Sequence, residues 1–265
     1  GALVARQNAL VYARLVDTQY RSDLTSGDLI HVGSVGNLAA RSKAKSTNAA
    51  ISYETVTETN TDITVATWEY AAIAVESIVK VQSNRDQLKL YSGKMGYALA
   101  LAVDDVLAGL PDDFTNAVGV LAAENTDAEI LRARQYLNDA DAPMSDRFLV
   151  ISPAAETGFM KLDRFVHNDY ATLHGSAAPA DGLEHAYVTS FYRMPIYMSV
   201  NVEGTNAAGH DNAMFHKESI ALVMQMSPTA HSMYDIDYLV DKVVLEQLYG
   251  TREMRDDHGV WIRGA

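Results

Sequence analysis

The segment ISYETVTETNTDITV at positions 51–65 decides the fold. Its Thr and β-branched aliphatic residues favour a β-strand and give little support to a helix. Most of the segment is polar on both faces, and a two-stranded polar hairpin is not stable by itself in water. We therefore predict an extended hairpin that projects from the body of the molecule and lies on another surface.

Strand patterning continues on both sides of this segment, over residues 28–81. Residues 41–50 are rich in Ser, Lys, Thr and Asn, which predicts a mobile tip. Residues 59–62, Thr-Asn-Thr-Asp, predict a turn or bend. Residues 68–79 are more apolar and are expected to return the chain to the core.

A long helix is predicted next. Asn84 is a good N-cap with Gln87 three residues later, which is close to a capping box. Pro111 follows Gly109 and ends the helix. The apolar residues between these signals recur at spacings of three and four: Leu88, Tyr91, Met95, Leu99, Ala102 and Val106. A helix of about 25 residues spans about 37 Å, which suits a structural spine.

The remaining segments alternate between helix and strand signals. Helices are predicted at 128–137 and 153–161, the second with Pro153 at a tolerated N-terminal position. Strands are predicted at 147–151, 187–202, 219–226 and 231–249, with a break at Tyr249-Gly250. Near the N-terminus, residues 3–15 predict a short amphipathic helix that packs either on its own core or on a neighbour. The fold class is therefore α+β.

Composition excludes several classes of protein. The 265 residues are 48% hydrophobic and 21% charged, so the chain is not mainly disordered. The net charge is -13, from 21 Lys and Arg against 34 Asp and Glu. A general nucleic-acid binder needs clustered basic residues, and here only Arg41, Lys43 and Lys45 form a local basic group. The absence of Cys excludes disulfides, thiolate metal sites and cysteine nucleophiles. No apolar run approaches the roughly 18 residues of a membrane span.

No motif predicts chemistry. Glycine-rich phosphate loops and the nucleophile elbow are absent. His210, Asp211 and His216 lack zinc-site spacing, and residues 204–212 predict a plain polar loop. Residues 167–170, with His167, predict a turn.

Two other groups of residues also have simple structural interpretations. Asp256, Asp257 and His258 follow two Arg residues and predict a solvated charge patch. The later Met residues predict fillers of core gaps: Met194, Met198, Met214, Met224, Met226 and Met233. We therefore predict no catalytic, cofactor-binding or metal site, no cofactor, and a structural role rather than an enzyme.

Several stretches form an ordered set over nearly the whole chain: 27–32, 51–54, 71–84, 97–105, 147–153 with 163–165, and 248–250 before a last short strand at 259–263. This set resembles the major capsid proteins of tailed bacteriophages with the HK97-type fold. The resemblance implies an N-terminal arm at 1–27, an extended β-hairpin loop at 28–66, and an axial domain at 112–225. It also implies a peripheral domain with the long spine helix at 67–111 and 226–265.

The resemblance implies a major capsid (head) protein that self-assembles into an icosahedral shell enclosing the double-stranded DNA genome, without sequence-specific DNA binding. Its expected partners are further copies of itself in hexamers and pentamers, and scaffolding, portal and cement proteins. Its expected location is the virion, after assembly in the host cytoplasm, with no membrane partner. Arms and loops of little use to a monomer are expected in a shell, where subunits bury large areas against neighbours.

Six residues are candidates for inter-subunit contact: Arg41, Lys43, Lys45 and Asn48 at the loop tip, and Tyr12 and Arg14 in the arm. The basic tip is expected to meet an acidic patch on the adjacent subunit. Some members of the family form Lys–Asn crosslinks assisted by a Glu. Lys43 or Lys45 stands where such a Lys would be, but no partner Asn or Glu matches, so no crosslink is predicted.

Two alternatives to a phage shell protein remain open at this stage. The first is an encapsulin-like bacterial nanocompartment, which has the same fold and is usually smaller. The second is an unrelated hydrolase that uses His167 or His210 with neighbouring Asp residues. Particle size and contents separate the first alternative, and a stable monomer with a titrating His would favour the second.

Overall fold

The computed structural model describes residues 10–22, 27–36, 38–43, 45, 50–56, 58–78, 87–162, 187–192 and 194–264. Within these residues the architecture is α+β, as predicted. The predictions for Asn48, for Asn84 and for His167 with its neighbours fall outside them.

The described helices and strands follow one another along the chain. The helices are α1 (Tyr12–Leu15), α2 (Gln87–Ala108), α3 (Asp127–Asp139) and α4 (Pro153–Phe159). The strands are β1 (Leu29–Val35), β2 (Glu58–Thr64), β3 (Thr67–Glu76), β4 (Ala117–Gly119), β5 (Arg147–Ile151), β6 (Tyr187–Phe191), β7 (Met194–Met198), β8 (Gly204–Thr205), β9 (Gly209–His216), β10 (Ile220–Asp235), β11 (Val240–Glu253) and β12 (Gly259–Gly264).

The largest sheet has the order β4-β12-β9-β5-β7-β6, and β8 pairs with β9. Local signals start the helices that accompany it. Thr126 and Glu129 form a capping box on α3, and the Ser152 hydroxyl accepts the Ala155 N–H at 3.1 Å before Pro153 opens α4. The buried core of this region includes Val118, Ile130, Leu137, Leu149, Ile151, Phe159, Ile196, Met214 and Ile262.

A second sheet has the order β10-β11-β3. The helix α2 packs on β3 and β11 and ends at Ala108, before Gly109 and a 3₁₀ turn that contains Pro111, which confirms the predicted stop. A second core joins α1, α2 and strands from both sheets, and it includes Val11, Leu15, Val103, Leu107, Phe114, Phe215, Ile220, Leu222 and Tyr249.

The predicted hairpin is the antiparallel pair β1–β2, whose register runs from Leu29 opposite Thr64 to Val35 opposite Glu58. The turn predicted at 59–62 is wrong, because these residues lie within β2 and pair with β1. Cross-strand pairing of β-branched residues outweighs the local turn preference of Asn and Asp. The hairpin has a small core at its base, made by Ile30, Ile63, Val65, Ala221 and Val223.

Two further predictions are corrected. Gly250 does not break a strand: it lies inside β11, opposite Val223. Residues 204–212 are not a plain polar loop, because most of them belong to β8 and β9. Asn212 there is fully buried, and its Oδ1 accepts the Ser152 N–H at 2.7 Å. The polar composition of this segment led to the wrong prediction, because its buried Asn and Gly residues contact backbone groups of other segments.

The last strand bears on the predicted domain division. β12 lies between β4 and β9, so residues 259–264 share a sheet with the segment 112–225 rather than with 67–111. The turn before β12 therefore carries the chain from the sheet of β10 and β11 back to the larger sheet.

Gly250 is expected to be required for the close contact between β11 and the base of the hairpin. A Cβ atom there would lie 2.3 Å from the Thr64 carbonyl oxygen and 2.9 Å from the Val65 Cα. Gly250→Ala should therefore lower the free energy of unfolding by about 1–3 kcal/mol, measured by urea unfolding, because backbone has to move.

The matched control is Gly96→Ala in α2, where nothing in the described structure lies within 4 Å of the added Cβ. It should be neutral or stabilise by up to about 1 kcal/mol. Equal effects of the two substitutions would contradict the role given to Gly250.

Candidate inter-subunit surfaces

The hairpin carries an exposed loop between β1 and β2. Its described apolar side chains face solvent, with Tyr53 86% exposed, and they include Leu38, Ile51 and Val56. Two hydrogen bonds connect the limbs of the loop: Arg41 Nη1 donates to Ser52 Oγ at 3.0 Å, and the Ala39 N–H donates to Glu54 Oε2 at 3.2 Å. The loop therefore presents apolar surface and basic groups that its own subunit does not cover.

The basic candidates Arg41, Lys43 and Lys45 are all exposed and lie in this loop. The fourth tip candidate, Asn48, lies outside the described residues. The structure thus brings three of the predicted contact residues onto one surface.

The arm candidates have a different environment. Tyr12 is fully buried in its own subunit, and its ring stacks on Phe215 with centroids 6.3 Å apart. Burial raises the pKa of Tyr12 far above its ordinary value. Tyr12 is therefore not available to a neighbour in this conformation, because the amphipathic side of α1 packs on its own core. Arg14 lies on the exposed side of α1.

A buried carboxylate holds the arm in place. Asp104 in α2 is fully buried; its Oδ1 accepts the Ala13 N–H at 3.3 Å, and its Oδ2 accepts Asn201 Nδ2 at 2.8 Å. Burial raises the pKa of Asp104, while the hydrogen bonds from Asn201 and from the backbone of α1 act in the opposite direction. This one side chain connects the arm, the long helix and the loop after β7.

A second exposed apolar surface was not predicted. The turn between β10 and β11 exposes large side chains, with Ile236 76% and Tyr238 73% exposed, together with Met233, Tyr234 and Leu239. Met233 is therefore not a filler of the core. The Leu239 carbonyl accepts the N–H and the Oγ–H of Ser77 at 3.0 and 2.9 Å, which attaches this turn to the end of β3. The sequence analysis missed this surface because β10 and β11 extend beyond the apolar residues from which the strands were predicted.

Several histidines and acidic residues outside these two surfaces contact other side chains of the same chain. His210 Nε2 lies 3.0 Å from Asn206 Oδ1, and Asp211 Oδ1 accepts Trp261 Nε1–H at 2.9 Å, so the structure does not join them with His216. His258 is buried against His216 instead, which corrects the solvated patch predicted for it. Burial lowers the pKa of His216.

None of the helices in the described part of the chain has the length and apolar content of a membrane span.

An acidic cluster lies at the end of β11. Burial and the nearby Asp256, followed by Asp113, raise the pKa of Glu253 to about 7, while Arg252 acts in the opposite direction. Asp256 itself accepts the Thr115 N–H at 2.7 Å. Glu253 is thus the member of the cluster that takes up a proton near neutral pH.

Comparisons with known proteins give a fold match and no sequence match. No family model and no curated protein matches the chain. A chain from Mycobacterium phage Che8 is 21% identical with a TM-score of 0.80, covering 99% of this chain and 94% of that one. The capsid structure of Cyanophage P-SCSP1u matches at 16% identity and a TM-score of 0.75, with 100% and 91% covered. The capsid of Ralstonia phage GP4 matches at 10% identity and a TM-score of 0.72, with 100% and 92% covered.

This chain has the fold of phage capsid chains. The match extends over 99–100% of the chain and not over one sheet alone. Sequence identities of 10–21% establish a shared architecture alone. Evidence for function therefore has to come from the surfaces described above.

Glu253 is expected to make stability depend on pH. Its pKa is about 7 in the folded chain and about 4.3 in an unfolded chain, so the folded state binds more protons between these values. Its contribution to stability therefore falls as pH rises through this window. Glu253→Gln should leave the free energy of unfolding nearly unchanged at pH 4.5 and raise it at pH 8 by up to about 3 kcal/mol.

Urea unfolding at both pH values checks this expectation, with the exposed Glu76→Gln on β3 as the matched control. An equal effect of Glu253→Gln at the two pH values would contradict it.

Proposed function

We propose that this chain is the major capsid (head) protein of a tailed bacteriophage, which self-assembles into an icosahedral shell around the double-stranded DNA genome. The observation that carries the proposal is the β1–β2 hairpin with its loop. Among the described residues of the hairpin, buried apolar side chains form a core only at its base, and the loop exposes apolar and basic side chains together. Such an element is explained when a neighbouring subunit covers it.

The distribution of exposed apolar side chains supports contact with more than one neighbour. The hairpin loop and the β10–β11 turn each present large apolar groups, Tyr53 on one and Ile236 and Tyr238 on the other. Several contacts of modest strength per subunit add up to a stable particle through multivalency. Heterologous contacts that close by rotation give the rings from which hexamers and pentamers are made.

The domain division proposed for the subunit is that of the HK97-type fold. The N-terminal arm is 1–27, the extended loop 28–66, and the peripheral domain 67–111 with most of 226–265. The axial domain is 112–225, and the sheet membership of β12 supports adding 259–264 to it. Arg41, Lys43, Lys45, Asn48 and Arg14 remain proposed contact residues. Tyr12 does not, because it is buried in its own subunit.

The net charge of -13 supports a shell that encloses DNA without binding its sequence, since a negative protein repels phosphates. Scaffolding, portal and cement proteins are the further partners proposed, with the virion as final location after assembly in the host cytoplasm. We propose no enzymatic activity, because the structural relatives include capsid chains, whose role is structural. The encapsulin alternative is not favoured, because the three similar solved structures named above come from phages.

The proposal predicts that the purified full chain forms shells or capsomers. Negative-stain microscopy with light scattering should show icosahedral particles, or hexamers and pentamers of uniform size, and the particle diameter and contents separate a phage shell from a nanocompartment. A monodisperse species of 28.9 kDa, in the presence of crowding agents or a scaffolding protein, would contradict the proposal.

The loop tip is expected to be required for assembly rather than folding. Lys43→Glu combined with Lys45→Glu should leave circular dichroism and Tm unchanged, because both side chains are exposed. It should lower the assembly constant by about 10-fold or more per contact, since like charges then face the acidic patch of the neighbour. The matched control is Lys161→Glu with Lys217→Glu, two exposed positions on the body. Equal assembly of the two double variants would contradict this role.

A further inference from the structure

Two histidines that are distant in sequence meet at the end of β9 and the start of β12. Phe215 pairs with Gly259, and His216 and His258 are the next residues beyond that pair. The antiparallel register therefore brings the imidazoles together, with centroids 5.8 Å apart and planes at 90°. Both side chains are buried. Imidazole nitrogens are among the commonest ligands of transition metals in proteins.

Glu218 adds an oxygen ligand to this pair. It lies in the 3₁₀ turn Lys217–Ser219, and its side chain is half exposed. One ligand atom from each of the three residues lies within 4.8 Å of the other two. Bonds of about 2.0–2.2 Å to zinc set ligand atoms about 3.3–3.6 Å apart in a tetrahedral site. The ligand atoms are therefore at most about 1.5 Å per pair farther apart than in a tetrahedral zinc site, and side-chain rotations have to close this gap.

An unpartnered nitrogen gives an independent indication of a ligand. Within the described residues, no group forms a hydrogen bond with His258 Nδ1, although the atom is buried. A buried polar atom without a partner is unfavourable, and such atoms are rare in native structures. The bond at His216 is weak, because the Glu218 N–H donates to His216 Nδ1 over 3.3 Å, and a metal ion can replace it.

We propose that His216, Glu218 and His258 form a binding site for a divalent transition-metal ion of the zinc class. Two imidazoles and one carboxylate match the ligand preference of Zn²⁺ and differ from the all-oxygen sets that Mg²⁺ and Ca²⁺ prefer. Solvent water completes the coordination on the exposed side of Glu218. Arg255, whose Nε lies 3.8 Å from Glu218 Oε2, gives up this partner when the ion binds.

The position of the site suggests what the ion stabilises. It joins the turn Lys217–Ser219 to the turn Asp256–His258. Glu218, Arg255 and Asp256 also line a cavity of about 710 Å³, and Val32 and Thr61 of the hairpin line the same cavity. The ion therefore fixes the part of the body that faces the base of the hairpin. This proposal does not rest on the function proposed above.

Binding of Co²⁺ to the metal-stripped full chain tests the site, because tetrahedral Co²⁺ with nitrogen ligands has a visible absorption spectrum. The wild-type chain should bind one Co²⁺, which Zn²⁺ displaces and Mg²⁺ does not. Zn²⁺ at about 100 times its Kd should raise Tm by about 5–10 °C, because it binds only the folded chain.

Three variants locate the ion. Glu218→Gln and His258→Gln should weaken binding by about 10-fold or more. The matched control His231→Gln should not change it; His231 is an exposed histidine on β10 whose Nε2 lies 3.2 Å from Glu246 Oε1. Glu218 is half exposed, so its variant keeps the fold even where His258→Gln does not. The proposal is wrong if the wild-type chain binds no Co²⁺, if Glu218→Gln binds as well as wild type, or if His231→Gln loses as much affinity.

Discussion

The buried carboxylate of Asp104 is the interaction on which the arrangement of the subunit depends. A carboxylate remains in a core only when hydrogen bonds replace its water, and here the donors come from α1 and from Asn201. The helix α1 has four residues and is too short to be stable by itself. It forms because Asp104 accepts its first backbone N–H groups, and because Tyr12 and Leu15 fill the core beneath it.

Backbone pairing connects the segment after α1 to the sheet on which the hairpin base packs. After α1, Asp17 pairs with β10, its N–H donating to the Ile220 carbonyl at 3.0 Å and its own carbonyl accepting the Leu222 N–H at 2.8 Å. The base of the hairpin contacts the same sheet at β11, where Gly250 lets the backbone at Thr64 approach closely. The hairpin is therefore held at its base by backbone contact and a small core, while the described residues of its loop are exposed. In the proposed function, assembly with neighbouring chains buries this loop.

Sequence patterns were reliable where local chemistry determines structure. The helix predicted at 128–137 is α3, Pro153 opens α4, Pro111 follows the end of α2, and the run 147–151 forms β5. Sequence patterns were not reliable where pairing with a distant strand determines the structure. Gly250 has the local character of a break and is continuous strand, because the neighbouring backbone requires a residue without a side chain. His258 lies among charged residues and is buried, because β12 pairs with β9. The exposed residues of the hairpin loop were predictable as a surface, since a segment that is polar on both faces cannot build a core.

The charges of the subunit divide into two groups that respond to different conditions. The loop tip carries the exposed side chains of Arg41, Lys43 and Lys45, and contacts between exposed charges weaken as the salt concentration rises. Glu253, whose pKa burial and Asp256 raise to about 7, lies instead at the end of β11, and the proposed metal ligands His216, Glu218 and His258 lie around the end of β9 and the start of β12. The base of the hairpin packs on β10 and β11, and β11 ends at Glu253. Salt therefore acts on the strength of contact at the tip, whereas protons and metal ions act on the support from which the hairpin extends.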